Sequence, residues 1–417
     1  MKTFSIKTLG CKLNQYDSAL MAQQFLQAGL QQVKFGQNAD IVLVNTCTVT
    51  NRSDKKCRNY ICQGARSSYD GKVYVSGCLI ERAGHEISSM DAVKKVFGTR
   101  NKESIVPEIL SDINCVPSGE LNSRYLVSPN DRSRAFLKIQ DGCDGKCSYC
   151  IIPAVRGIPS SRDYDEILEN VKILEQNNIN EIVLTGITIG KYDHEGRNLA
   201  DLVRGMISVS EKMRFRITSI EPVHIDDSII SLFSNERICS HIHLPLQSGS
   251  DRILNEMNRP YTAADYLEIA SKLRTVRTDI ALGTDVIVGF PGETDDDFTQ
   301  TLDILERAGI AYIHQFTFSP RSGTPAALRD DFCTDTDIYR RSETLRKFSQ
   351  EKKSEYQKKF LNRVLNGIIE MDSTGYWATT ENYIHVRLHP DKIPVQGTAA
   401  RILITSVNDV PEGIILP

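Results

Sequence analysis

The 417-residue sequence predicts an α/β protein in three parts. These are an N-terminal parallel-sheet domain, a central partial (β/α)6 barrel and a small C-terminal β-barrel. Three observations predict it. Short Val/Ile-rich runs alternate with helix-compatible stretches up to about residue 114. After an irregular segment, a second and longer alternation of the same kind begins. From residue 364 onward, short strands and turns replace helices altogether.

The first alternation covers residues 1–115. "TFSIKTLG" (3–10), "DIVLVNT" (40–46) and "KVYVSG" (72–77) read as strands, with helix-compatible stretches at 15–28 and 51–67. A β-α-β-α-β order implies a parallel sheet. A cysteine follows each strand: Cys11, Cys47 and Cys78. Ligands of parallel α/β sheets gather at the carboxyl ends of the strands, so these three are expected to converge on one rim. The alternative is three buried structural cysteines. Those would fall inside strands rather than three times just past an end. Cys57, Cys62, Cys115, Cys239 and Cys333 show no such placement and read as structural.

Residues 116–133 form a linker, being rich in Pro and small polar residues without period. The barrel is assigned to 134–350. Its strand candidates are "AFLKIQ" (135–140), "EIVLTG" (181–186), "RFRITSIEP" (214–222), "HIHLPLQ" (241–247), "TDVIVGFP" (284–291) and "IAYIHQFTFSP" (310–320). Between them, Ile167, Val171 and Leu174 share one face of a helix over 165–177. "TAAD" (262–265) and "TDDD" (294–297) look like helix-capping starts. Six β/α units in this length suggest an open barrel, whose chemistry sits where the strands end. Those ends are polar or glycine-bearing: Gly142, Thr185 and Gly186, Ser219 and Glu221, Gln247 and Ser248, and Gly289 to Glu293.

Composition narrows the chemistry. A hydrophobic fraction of 40% and a charged fraction of 25% describe an ordinary globular chain. No apolar run reaches the roughly 18 residues of a membrane span. "MKTFSIKTLGCKLNQ" lacks the apolar block of a secretory signal, so a cytoplasmic location with reduced thiols is expected. Eleven cysteines in that setting point to metal ligands or reactive thiols rather than disulfides. A net charge of −3 argues against a general DNA or RNA binder, so any RNA contact requires a local basic patch.

The loop after the first barrel strand, "DGCDGKCSYC" (141–150), holds Cys143, Cys147 and Cys150. Three thiolates cannot close a tetrahedral zinc site without a distant fourth ligand such as His194. They can hold three irons of a four-iron, four-sulfur cluster and leave the fourth open to a small molecule. This spacing, after the first strand of a six-unit series, resembles the radical S-adenosylmethionine (SAM) superfamily. With a three-cysteine α/β domain before it and a β domain after it, the chain resembles the methylthiotransferases. The matching stretches are "LGCKLNQYDS" (9–18), "NTCTVT" (45–50), "SGC" (76–78), "GCDGKCSYCIIP" (142–153), "RG" (156–157), "LPLQSGSDRIL" (244–254) and "DVIVGFPGET" (285–294). "GCKLNQYDS" and "NTCTVTNRSD" look most like the branch acting on N6-threonylcarbamoyladenosine next to the tRNA anticodon. The isopentenyl-adenosine branch usually has Gln-Met in place of Lys12-Leu13. The branch modifying a ribosomal-protein aspartate often has Pro-Lys after the first cysteine. Two positions depart from the pattern. Thr185-Gly186-Ile187 stands where relatives carry Gly-Gly-Glu, and Ala154-Val155 where they often carry an aromatic.

The resemblance implies two [4Fe-4S] clusters with different tasks. The cluster on Cys143, Cys147 and Cys150 would reduce bound SAM to generate a 5′-deoxyadenosyl radical. The one on Cys11, Cys47 and Cys78 would donate sulfur. Tyr149 would lie against the SAM adenine, or else cover the core as a loop aromatic. Gly186, Ser219, Glu221, Gln247, Ser248 and Asp285 are the further cofactor-binding candidates. A reductant such as a flavodoxin or ferredoxin is implied as a partner, with tRNA as substrate. Residues 351–417 resemble the RNA-binding TRAM domain that closes such chains. Residues 340–363 carry nine Lys or Arg against three Glu, a local +6. That reads either as a solvated helix face or as a phosphate-facing patch. Lys352, Lys353, Lys358, Lys359, Tyr383 and Arg387 are the RNA-contact candidates, and Trp377 and His385 are stacking or core aromatics. The competing readings are a methylthiotransferase of another branch, a radical SAM enzyme of another reaction type, and a non-catalytic iron–sulfur RNA-binding protein.

Overall fold

A computed structural model describes the chain except residues 101, 118, 120, 122–132 and 390–392. Most of the expected linker 116–133 therefore lies outside the described residues.

The three predicted N-terminal strands form, as Thr3–Thr8, Ile41–Thr46 and Val73–Gly77, and two unpredicted ones extend the edges. The parallel order is Gln31–Gln32, Thr3–Thr8, Ile41–Thr46, Val73–Gly77, Val93–Phe97. Every residue of Ile41–Thr46 is buried because the strand feeds two layers at once. Ile41 and Leu43 pack with Phe4, Phe25 and Tyr74 on one face. Val42 and Val44 pack with Cys57, Ile61 and Val75 on the other. Helices Lys12–Gln27, Asn51–Ala65, Cys78–Ser88 and Ile105–Asp112 cover the two faces. Asn51–Ala65 starts at a Thr50/Ser53 capping box, which satisfies two backbone N–H groups that the first turn leaves free.

Six parallel strands make the open barrel: Ala135–Lys138, Glu181–Thr185, Arg214–Arg216, His241–His243, Ala281–Val288 and Tyr312–Thr317. Two isolated bridges, Phe215 to Ile238 and Ser219 to His243, join its two halves. The third and fourth strands are shorter than their apolar runs. The runs continue into Pro222 and Pro245, which have no N–H to give a ladder. Helix Tyr164–Gln176 buries Ile167, Val171 and Leu174 completely, as its pattern predicts. Both predicted capping boxes, Thr262/Asp265 and Thr294/Asp297, are present. Helix Lys12–Gln27 of the first domain lies along the first barrel strand, and Tyr16 joins the barrel core beside Ala135 and Leu137.

One helix, Asp335–Lys358, runs across the expected boundary at 350/351. It leads into a closed five-stranded barrel ordered Val364–Asp372, Gly375–Thr380, His385–Leu388, Glu412–Ile415, Ala399–Ser406. Leu365, Ile369, Val386, Ile402 and Ile404 fill its core. This domain sits on the N-terminal ends of the central strands. There the fully buried Arg216 donates to the carbonyls of Thr380 (2.9 Å) and Glu381 (3.1 Å). Tyr383 stacks on His241 at 4.2 Å beside it. Among the described residues, no helix is long and apolar enough to cross a membrane.

Candidate active site

The barrel cysteine loop depends on Gly142. Its φ of +77° is left-handed, and a Cβ there would lie 2.0 Å from the Ile158 carbonyl oxygen. Only glycine fits that approach. The Cys143 N–H then donates to the Gly157 carbonyl at 2.9 Å, and the Gly145 N–H points at the Cys143 sulfur at 3.2 Å. From the far side of the barrel, Arg259 donates Nη1–H to the Cys147 sulfur at 3.1 Å. Burial raises the Cys147 thiol while Arg259 pulls it down, and burial pushes Cys150 up to about 12. Protonated thiols of this kind become ligands when a metal supplies the compensating charge.

The set fits a cluster better than a single ion. A lone tetrahedral zinc, with Zn–S near 2.3 Å, needs sulfurs about 3.8 Å apart. Among the described residues, the one group of three ligand atoms all within 4.8 Å of one another is His243, Asp285 and His314, not any set of cysteines. His194, the alternative fourth ligand for a zinc ion, accepts instead from the Tyr164 N–H at 3.3 Å.

The first-domain cysteines converge as predicted. Gly10, at φ +99°, leaves room where a Cβ would be 2.7 Å from the Cys47 Cβ and 3.0 Å from its sulfur. Cys11 caps helix Lys12–Gln27, and Cys78 opens helix Cys78–Ser88. Burial raises the Cys47 thiol, and the nearby Cys11 and Cys78 raise it further. Cys78 also shares a buried cluster with Ile151 and Val155, just past Cys150, so both cysteine sets face one interface.

Two arginines hold that interface, and the sequence did not single out either. The Arg156 side chain, 1% exposed, belongs to the short helix after Cys150. It donates Nε–H to the Cys78 sulfur (3.2 Å), Nη1–H to Asp141 (3.2 Å) and Nη2–H to Asn14. Asn14 is itself fixed by donating to the carbonyls of Leu9 and Thr46. Arg321, after the sixth barrel strand, donates to Thr48, Asp54 and Asn51 around Cys47. The only signal for Arg156 was its place in the matched "RG" pair.

The remaining cofactor candidates fall into groups. Glu221 pairs with Arg259 and so lies beside Cys147; burial raises its carboxyl. Burial would also raise Asp285, but hydrogen bonds from His243 (2.9 Å) and His314 (3.4 Å) hold it well below the usual carboxylate range. His243 continues through the Tyr312 hydroxyl (3.3 Å) to His241. Gly186 packs against Gln140, whose Oε1 accepts from the Ile187 and Thr188 N–H groups and whose amide donates to Asp141 and Gly142. Gln140 thereby ties the second strand's loop to the cysteine loop. Gln247 sits in the left-handed region at φ +66° and pairs with Asp285 and Ile287 through its backbone. Ser219 bridges to His243 through its backbone. Ser248 is buried and turned toward Thr301 and the Ser250 N–H. Tyr149 packs edge-on against Phe290 at 6.4 Å in a small apolar cluster. Lys12, next to Cys11, has its ammonium lowered to about 8 by burial and by Arg216 and Arg134.

The RNA candidates divide. Lys353, Lys358 and Lys359 are exposed. Lys352 is not free: it bonds Glu306 (2.8 Å) and Glu355 (2.7 Å) with its side chain 11% exposed. Arg340 and Arg341 likewise pair with Asp295, and Arg341 with Glu293. The local +6 is thus partly cancelled by acids from the barrel, which a count along one segment cannot see. Tyr383 is wedged between the C-terminal barrel and His241 and Tyr312 rather than offered to solvent. Arg387 lies over the Trp377 ring at 5.1 Å, and His385 stacks on that ring at 4.5 Å with its side chain 53% exposed.

Residues 137–305 match the radical SAM superfamily, and residues 3–98 match a family described only as the uncharacterized protein family UPF0004. The threonylcarbamoyladenosine tRNA methylthiotransferase MtaB of Bacillus subtilis is 35% identical, over 93% of this chain and 90% of its own. That of Thermotoga maritima is 34% identical, over 87% and 85%. The tRNA-2-methylthio-N(6)-dimethylallyladenosine synthase of Acetivibrio thermocellus is 32% identical, over 88% and 81%. Among solved structures, the radical SAM methyltransferase TsrM from Kitasatospora setae aligns with a TM-score of 0.58 at 13% identity, over 78% of this chain and 77% of that one. The cobalamin-dependent radical enzyme OxsB aligns at 0.52 and 11%, over 84% and 56%. These two likenesses concern the fold alone.

Proposed function

The chain belongs to the radical SAM methylthiotransferases, and on that premise we propose that it adds a methylthio group to C2 of N6-threonylcarbamoyladenosine beside the tRNA anticodon. Membership brings a [4Fe-4S] cluster and SAM to the barrel, and tRNA as the substrate class. The observation that carries the reading further is the pair of three-cysteine sets facing one interface, with Arg156 spanning it. We assign Cys143, Cys147 and Cys150 to the SAM-bound cluster and Cys11, Cys47 and Cys78 to a second, sulfur-donating one. Bound there, the clusters and SAM supply the one-electron and sulfur chemistry that the unactivated C2–H of adenine requires. The side chains do the positioning. Arg259 neutralises Cys147 and is held in place by Glu221 and Tyr261. Gln140 fixes the loop that bears Gly186, whose neighbouring backbone stands where relatives place a carboxylate. Arg156 and Arg321 keep the two domains closed over the reacting atoms and exclude water.

The threonylcarbamoyl substrate is supported by Lys12-Leu13 and "NTCTVT", and by two relatives that carry that name. A flavodoxin or ferredoxin is the proposed reductant. The C-terminal barrel is assigned to RNA through Lys353, Lys358, Lys359 and the Trp377–His385–Arg387 stack, with Lys352 and Tyr383 left to internal packing. Mass spectrometry of tRNA nucleosides from cells with and without the gene tests the substrate. Loss of the 2-methylthio form of threonylcarbamoyladenosine is expected. Loss of the dimethylallyl product instead would refute the reading.

A further inference from the structure

Three side chains on one face of the barrel wall meet away from both cysteine sets, and the strand register places them. Asp285 on the fifth strand lies directly opposite His314 on the sixth. His243 on the fourth lies opposite Gly283, two residues before Asp285. Alternate residues of a strand share a face. His243, Asp285 and His314 therefore point one way, while Ile242, Leu244, Val286 and Ile313 turn into the apolar core. The His243 Nε2 lies 2.9 Å and the His314 Nδ1 3.4 Å from the same Asp285 oxygen, Oδ1. One ligand atom from each of the three residues lies within 4.8 Å of the other two.

His243 is also held from behind. Its Nδ1 meets the Tyr312 hydroxyl at 3.3 Å, and the same hydroxyl meets the His241 Nε2 at 2.8 Å. Gly283 makes this approach possible, because a Cβ there would lie 2.0 Å from the Tyr312 ring. Fixing the far nitrogen of an imidazole in this way is how proteins orient a metal-binding histidine. Access to the trio is graded: His243 is buried, Asp285 half-buried and His314 exposed. His314 and Tyr312 also line a cavity of about 510 Å³ between the central barrel and the C-terminal domain. An ion can therefore reach the trio from the His314 side, and a coordination position on that side stays open.

We propose that His243, Asp285 and His314 form a binding site for a divalent transition-metal ion, and that zinc is the ion whose chemistry fits. Two imidazoles and one carboxylate are a common non-sulfur zinc set, with water or another oxygen donor in the fourth position. Ligands at zinc distances of a tetrahedral ion stand roughly 3.4 Å apart. The observed separations of 2.9 and 3.4 Å need little adjustment to admit it. Bound there, the ion would tie the fourth, fifth and sixth strands together through side chains. The inference does not depend on which modified adenosine is the substrate.

The test uses the anaerobic, cluster-loaded full chain, incubated with zinc sulfate and freed of loosely held ion by gel filtration. Zinc is counted by elemental analysis, and its ligands are read by zinc K-edge X-ray absorption, which the cluster iron does not obscure. The wild type should retain one zinc per chain in a shell of nitrogen and oxygen at about 2.0–2.1 Å, without the zinc–sulfur distance of about 2.3 Å. His314→Ala, at a side chain 54% exposed, should lose that zinc while keeping the iron content and circular dichroism of the wild type. Tyr312→Phe keeps all three ligands and removes the hydroxyl behind His243. It should weaken zinc binding about 10- to 100-fold in competition with a fluorescent chelator. A wild type that retains no zinc overturns the inference and leaves a hydrogen-bonded trio. So does zinc in a sulfur shell, which would place the ion on cysteines instead. A folded His314→Ala chain that binds zinc in the same shell with unchanged affinity overturns it as well. Should that variant fail to fold, Tyr312→Phe decides, and an unchanged affinity there is the refuting result.

Discussion

Replacing Arg156 by leucine removes one guanidinium that contacts Cys78, Asn14, Asp141 and Asp17 together. The cost is not the sum of four contacts. Asp141 keeps Lys138 at 2.7 Å, and Asp17 keeps Lys102, so neither carboxylate is orphaned. What goes uncompensated is the bond to the Asn14 side-chain oxygen and the bond to the Cys78 sulfur. At about 1.5 kcal/mol for each hydrogen bond to a charged donor, the loss is about 3 kcal/mol. That shifts the docking equilibrium between the first domain and the barrel by about 100- to 200-fold. Hydrogen exchange on the anaerobic, cluster-loaded chain measures it directly. Amides of Lys12–Gln27 and Cys78–Ser88 should exchange faster by that factor in Arg156→Leu, while the C-terminal barrel should not change. Arg156→Lys keeps charge but not the fork, and should fall between the two. Exchange within twofold of the wild type in both helices would refute the assignment of Arg156 as the main tie.

The other predictions test separate parts of the reading. Cys78→Ala should leave reductive SAM cleavage intact and abolish methylthio product; complete loss of cleavage in a folded variant would argue for one shared site. Burial alone would raise the Glu181 carboxyl, but Arg216, Arg214 and Arg134 hold it at about 2. A folded pKa below the unfolded one stabilises above about pH 4.5, and that contribution, on the order of 3 kcal/mol, is lost as pH falls toward 2. Glu181→Gln should therefore be the less stable chain at pH 7, with the gap closing over that window in urea titrations; parallel acid limbs would contradict it. Changing Lys353, Lys358 and Lys359 to Glu should weaken tRNA binding and flatten its log–log salt slope by about 2, three phosphate contacts at roughly 0.7 each. An unchanged slope would move the RNA surface elsewhere.

Much of the candidate site was legible because its cysteines fall just past strand ends. Cys11, Cys47, Cys78 and the 143–150 loop follow from counting residues after Val/Ile runs. The edge strand Val93–Phe97 was missed because Lys94 and Lys95 break its apolar pattern; their ammonium groups lie over the Tyr74 and Phe97 rings. Helix Ile105–Asp112 has Pro107 in its first turn, a position where proline is tolerated but easily read as a breaker. Arg156 and Arg321 escaped for a different reason. Their partners in the first domain lie 78 to 273 residues away in sequence, and nothing local marks an arginine as buried. Lys352 shows the converse error, since its paired Glu306 lies 46 residues upstream on a barrel helix.

The helix Asp335–Lys358 has 24 residues, so it is a rod about 36 Å long. The C-terminal barrel rides on its end while also gripping Arg216 and stacking Tyr383 on His241. Inserting one residue in the rod would turn its far end by about 100° and advance it 1.5 Å, breaking both grips at once. Substitutions along the exposed face are cheap by comparison. The helix therefore tolerates changes of residue on its exposed face far better than a change of length. The distance from the C-terminal barrel to the cysteine loops is set by the count of residues in this helix, not by any one of them.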